Sequence, residues 1–104
     1  MSEKRKPTYD LDSFQAWAAS AGFRVAGSAA RTAAEIGFSA TDMIDTIQTI
    51  QRRHFNKSMT SHHNSREWQD VYHVPSEAGM LYIKFRADTV TEFLLLSFKE
   101  KNDG

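Results

Sequence analysis

The chain has 104 residues, 13 Lys or Arg balanced by 13 Asp or Glu, and no cysteine. That length holds one domain with a modest core, and the lack of cysteine excludes a disulfide framework, a thiolate nucleophile and a Cys-based zinc site. No stretch reaches transmembrane length, and the charged start MSEKRKPTYD leads into no apolar segment, so a soluble, cytoplasmic protein with no membrane contact is expected.

Residues 1–8 read as a flexible lead-in to a single domain spanning 1–104. Asp10 or Asp12 caps a first helix whose apolar stripe is Leu11, Phe14, Trp17, Ala18 and Ala21, and Gly22 ends it. Phe23–Val25 is too short for more than an edge strand. Ser28 caps an alanine-rich helix that runs to Gly37. Ser39, with Asp42 three residues on, opens a third helix that buries Met43, Ile44, Ile47 and Ile50. Arg52 and Arg53 follow at its end, where cations oppose the helix dipole.

After Arg53 the apolar period drops from near four to two. Strands are expected over Phe55–Ser61, Glu67–Val74, Met80–Ala87 and Thr91–Lys99, with turns at Pro75–Gly79 and Asp88–Thr89. In the second, Trp68, Asp70, Tyr72 and Val74 share one face, and Gln69, Val71 and His73 the other. In the third, Leu81, Ile83, Phe85 and Ala87 point inward, and Tyr82, Lys84 and Arg86 outward. The run Phe93–Leu96 suits a central strand buried on both faces. Residues 100–104 form a charged tail. Helices followed by strands on short turns predict an α+β fold, with an antiparallel sheet covered by about three N-terminal helices on one face. The other face, dotted with cations and rings, suits RNA.

Charge is segregated locally. From Thr46 to Arg66 there is no Asp or Glu, while Arg52, Arg53, Lys57, Arg66, His54, His62 and His63 all fall there. Such a patch attracts phosphates, although a solvated basic loop would look the same. Arg52, Arg53, His54, Asn56, Met59, Arg66, Lys84 and Arg86 are the candidate RNA contacts. The histidines His54, His62, His63 and His73 lack the spacing of a helical metal site and have no Cys to join them, so no metal is expected. His54 is close enough in sequence to Lys57 to assist it as an acid or base. Trp68 reads as sheet packing.

The blocks Lys57-Ser58-Met59-Thr60, Trp68-Gln69-Asp70-Val71-Tyr72, Tyr82-Ile83-Lys84 and Ser97-Phe98-Lys99-Glu100-Lys101 resemble, in order and spacing, the MqsR (motility quorum-sensing regulator) family of bacterial toxins. The resemblance implies a small RelE-like fold and a type II toxin–antitoxin toxin that cuts messenger RNA without a metal or other cofactor, at GC-containing sites such as GCU or GCA. It implies active-site residues at Lys57, Gln69, Tyr82 and Lys99. It also implies a cognate antitoxin with zinc-binding and helix-turn-helix regions, through which any DNA contact would pass. Asn56 departs from the pattern, which has tyrosine there, and the loop with His62, His63 and Asn64 departs too.

Those residue types fit the chemistry. Metal-free cleavage needs a base for the 2′-hydroxyl, positive charge for the phosphate oxygens and an acid for the leaving 5′-oxygen. Lysines serve the first two and Tyr82 the third, while Gln69 holds a phosphate or a base edge. A non-catalytic RNA- or protein-binding module of the same fold remains the alternative.

Overall fold

The computed structural model describes residues 1–102; residues 103 and 104, the end of the expected tail, lie outside the described residues. In chain order the described elements are β1 (Glu3–Lys4), α1 (Leu11–Ala18), α2 (Gly27–Glu35), α3 (Ala40–Gln48), a 3-10 turn (Arg52–His54), β2 (Phe55–Thr60), β3 (Trp68–Ser76), β4 (Gly79–Ala87) and β5 (Phe93–Glu100). The sheet is antiparallel with its strands in chain order, β1-β2-β3-β4-β5. The expected α+β fold is the one observed.

Local chemistry sets two of the helix starts. The Asp10 carboxylate accepts from the Ser13 N–H at 2.9 Å. Ser39 and Asp42 form a reciprocal capping box. The start of α2 departs from expectation: Ala26 is at its N-cap with no side-chain cap, and Ser28 lies inside the first turn. A tertiary bond fixes this boundary instead, because the Ala26 N–H donates to the Leu95 carbonyl at 2.8 Å.

The helices cover one sheet face. Leu11, Phe14 and Trp17 of α1, Ala29 and Ala33 of α2, and Met43 and Ile47 of α3 join Tyr72, Val74, Leu81, Ile83, Phe85 and Phe98 in one core. Phe14 lies flat on Phe85, ring centroids 3.6 Å apart and planes within 4°. Phe93 meets both rings edge-on. Small alanines let α2 approach β5 closely enough for the Thr32 hydroxyl to donate to the Phe98 carbonyl at 2.6 Å.

Other expectations change. Ala21, expected in the α1 stripe, is exposed beyond the helix, which ends at Ala18, and Pro75 and Ser76, expected in a turn, belong to β3. The run Phe93–Leu96 is not in a central strand: β5 is the last strand of the sheet, with Phe93 and Leu95 buried and Leu94 and Leu96 only half-buried. Its apolar character reflects an edge covered by the chain itself, through a parallel bridge between Val25 and Leu95. Ala87, expected inward, is exposed at the end of β4. The lead-in over residues 1–8 is tied down: Glu3 and Lys4 pair with Met59 and Ser58. Behind them the fully buried Asp70 carboxylate accepts from the Thr8 N–H at 3.1 Å and the Tyr9 N–H at 2.9 Å. Thr8 and Ser58 hydroxyls share a hydrogen bond at 2.7 Å.

Because Asp70 is the acceptor for two backbone donors, Asp70→Ala should cost about 2–3 kcal/mol of stability by denaturant unfolding. Amide hydrogen exchange should show the loss of protection concentrated in residues 2–9, and uniform loss across the sheet would contradict this role.

Candidate active site

The ladders between β2, β3, β4 and β5 decide which side chains share the uncovered face. Lys57 pairs with Val71, Val71 with Lys84, and Lys84 with Ser97. One row along, His73 pairs with Tyr82 and Tyr82 with Lys99. On the other side Glu3, Met59, Gln69, Arg86 and Leu94 form a third row. With strands about 4.8 Å apart, the Lys57 and Lys84 backbones are roughly 10 Å from each other. The structure thus brings Lys57, Gln69, Tyr82 and Lys99 onto one face, opposite the helices, and puts Lys84 in their midst.

This face is shallow but not fully wet. Val71 is fully buried although it is outside the helix-side core, so the polar side chains around it shield it. Lys57, His73, Tyr82, Lys84 and Arg86 are half-buried, and Lys99 is exposed. Tyr82 lies between two neighbours: its ring is tilted 39° to that of His73 with centroids 5.9 Å apart, and the Lys99 Nζ lies 5.3 Å from its centroid on the other strand. Burial raises the Tyr82 pKa above the ordinary phenol value, with Lys57 opposing and Glu3 adding to the rise. The phenol therefore keeps its proton through the physiological range and can act as a donor. Burial lowers the Lys84 pKa, Lys99 and Lys57 push the same way, and Glu67 opposes them.

Two carboxylates temper the cations. Lys57 Nζ donates to Glu3 Oε1 at 2.8 Å, and Lys57 in turn pulls the Glu3 pKa down. Glu67 Oε1 accepts from Gln69 Nε2 at 2.9 Å and lies 3.7 Å from Arg86 Nε. That hydrogen bond holds the side chain of Gln69, a residue only 8% exposed, in place.

Of the candidate RNA contacts, Met59 and Lys84 lie on this face beside the catalytic candidates. Arg86 does as well, but its guanidinium is engaged with Asp88 Oδ1 at 3.1 Å and with the Ala87 carbonyl at 2.9 Å. Asn56 is at a bulge in β2, where its carbonyl accepts from Arg5 Nη1 at 3.2 Å. Arg66 is exposed in the β2–β3 loop with His62 and His63. Arg52, Arg53 and His54 do not cap α3, which ends before them; they form the separate 3-10 turn. Arg52 pairs with Asp12 at 3.3 Å and lines a recess with Tyr9, Phe55 and Tyr72, on the helix side of the sheet. Arg53 donates to Gln51 Oε1 at 2.8 Å. His54 accepts from the Gln51 N–H through Nδ1 at 2.9 Å, a turn-closing bond that engages one of its two ring nitrogens. Burial and then Arg53 lower its pKa. Among the described residues no three His, Asp or Glu side chains come together as a metal site.

Comparison with known proteins shows the family. The sequence profile of the family described as motility quorum-sensing regulator, toxin of MqsA, matches residues 6–100. The chain belongs to the MqsR toxin family. A relative within it, the mRNA interferase toxin MqsR of Escherichia coli (strain K12), is 32% identical over 99 residues, covering 95% of this chain and 99% of that protein. The blocks that carried the resemblance in the sequence are the stretches of β2, β3, β4 and β5 that face one another in the MqsR-family sheet described above. Glu3 and Glu67 were missed by sequence reasoning. Glu67 carries a readable signal, since it is two residues from Gln69 and shares its face. Glu3 carries none, because only the long-range pairing of β1 with β2 brings it to Lys57.

Glu3 occupies the ammonium that an incoming phosphate would need. Glu3→Gln should therefore raise affinity for a short single-stranded RNA about 3–10-fold at low salt and steepen the salt dependence, read by fluorescence anisotropy. Equal affinity and slope for the two proteins would mean the ion pair does not compete.

Proposed function

We propose that this chain is the toxin of a type II toxin–antitoxin system, an endoribonuclease that cleaves messenger RNA without a metal ion, at GC-containing sites such as GCU or GCA. One observation carries the reading: lysines from three strands, a protonated tyrosine and an oriented glutamine share a single half-dry sheet face. The MqsR-family relative named an mRNA interferase toxin supports the reaction class, and the GC preference rests on the resemblance alone.

The residues supply each part of the reaction. Lys57 and Lys99 flank the centre and hold the scissile phosphate by charge. A lysine takes the 2′-hydroxyl proton, the 2′-oxygen attacks phosphorus, and the bond from phosphorus to the 5′-oxygen breaks. The Tyr82 hydroxyl gives its proton to that oxygen. The products are a 2′,3′-cyclic phosphate and a 5′-hydroxyl. Gln69, fixed by Glu67, holds a phosphate oxygen or a base edge. Such an enzyme harms its host unless restrained, so its partner is an antitoxin of the zinc-binding and helix-turn-helix type, which carries any operator binding. The compartment is the cytoplasm, where messenger is found.

Purified protein incubated with a GCU-containing RNA in EDTA should cut it, leaving cyclic phosphate and 5′-hydroxyl ends. Tyr82→Phe should slow cutting about 10²–10⁴-fold with RNA affinity retained. Intact RNA with the wild-type protein would favour the binding-module reading, and cutting abolished by EDTA would point to a metal.

A further inference from the structure

The lysines of the open face are not equivalent. Lys57 Nζ is engaged by Glu3 at 2.8 Å, so acting as a base would require it to give up the ammonium that makes the ion pair. Lys99 is exposed near the end of β5, its Nζ over the Tyr82 ring. Lys84 is half-buried at the middle of the face, between fully buried Val71 on β3 and Ser97 on β5. Among the described residues no carboxylate lies within ion-pair distance of it. A cation in that position is flanked by two others and half-stripped of water, which favours its neutral amine.

Resting on the nuclease reading, we propose that Lys84 is the general base that takes the 2′-hydroxyl proton, while Lys57 and Lys99 hold the phosphate on either side of it. The Lys84 Nζ lone pair takes the proton, the 2′-oxygen bonds to phosphorus, and the departing 5′-oxygen takes the Tyr82 proton. The enzyme is left with ammonium at Lys84 and phenolate at Tyr82, and exchange with water resets both. The groups that face Lys84 are Lys57 from β2, Glu67 and His73 from the β3 side, Tyr82 and Arg86 from β4, and Lys99 from β5. Burial and the neighbouring lysines hold its pKa below the usual lysine value, against the smaller opposing pull of Glu67. Cleavage should therefore rise with pH along a limb that lies below the ordinary lysine range and belongs to Lys84.

Two variants test this. Lys84→Arg keeps the positive charge but offers no proton acceptor. It should lower kcat about 100-fold or more while binding an RNA with 2′-deoxyribose at the cut site as the wild type does. The chain has no cysteine, so Lys84→Cys can be aminoethylated at that position alone, giving an amine less basic than lysine. The restored activity should show its acid limb moved to lower pH. Restored activity with an unmoved limb, or wild-type cutting by Lys84→Arg, would overturn the assignment. Should the aminoethylated protein stay inactive, Lys84→Arg decides alone. Failure of the wild-type protein to cut would instead sink the nuclease reading itself.

Discussion

The pairing register of β4 governs everything on the open face. Leu81, Ile83 and Phe85 enter the core while Tyr82, Lys84 and Arg86 stay outside it. A slip of one residue would drive a lysine into the aromatic cluster and push Phe85 off Phe14, exchanging faces for every side chain on the strand. The energy that forbids the slip comes from the helix side, where the rings of Phe14, Phe85 and Phe93 contact one another. The packing of one face thus fixes the chemistry of the other. Bulges at Phe55–Lys57 in β2 and opposite Lys84–Phe85 in β5 adjust which residues face the site without disturbing the core.

Gathering cations on a half-dry surface costs electrostatic energy, and the chain offsets it with carboxylates at the margin rather than at the centre. Glu3 meets Lys57, and Glu67 meets Gln69 and Arg86. Lys84 is left between them without such a partner, so the remaining strain falls on its proton affinity. Glu3 reaches Lys57 only because β1 pairs with β2, and β1 is held by the segment that Asp70 anchors. A buried acid on the helix side is therefore linked, through the N-terminal segment, to the charge balance of the site.

Much of this was legible in the residues. Strong alternation in β4 and the capping box of α3 read directly, because local sequence determines both. The set Lys57, Gln69, Tyr82 and Lys99 was legible only through the resemblance of four sequence blocks to the MqsR family, since each residue alone reads as an ordinary surface side chain; the strand ladders put the four on one face. What stayed hidden depends on contacts far apart in sequence. Residues 1–8 look like a charged leader, and only the acceptor at Asp70 and the β2 edge turn them into structure. The run Phe93–Leu96 looks like an interior strand, because sequence cannot distinguish sheet neighbours from a covering segment at Val25. Arg52 and Arg53 read as part of a basic patch with Lys57, whereas the 3-10 turn puts Arg52 with Tyr72 on the other side of the sheet.

The central claim is that strand register makes Lys84 the electrostatic middle of a lysine cluster. Titrating the lysine side-chain ammonium groups by NMR, in the wild type and in Lys57→Met and Lys99→Met, tests it most directly. The Lys84 signal should titrate below the ordinary lysine value and move upward in each variant. A Lys84 that titrates at the ordinary value, indifferent to both substitutions, would contradict the account.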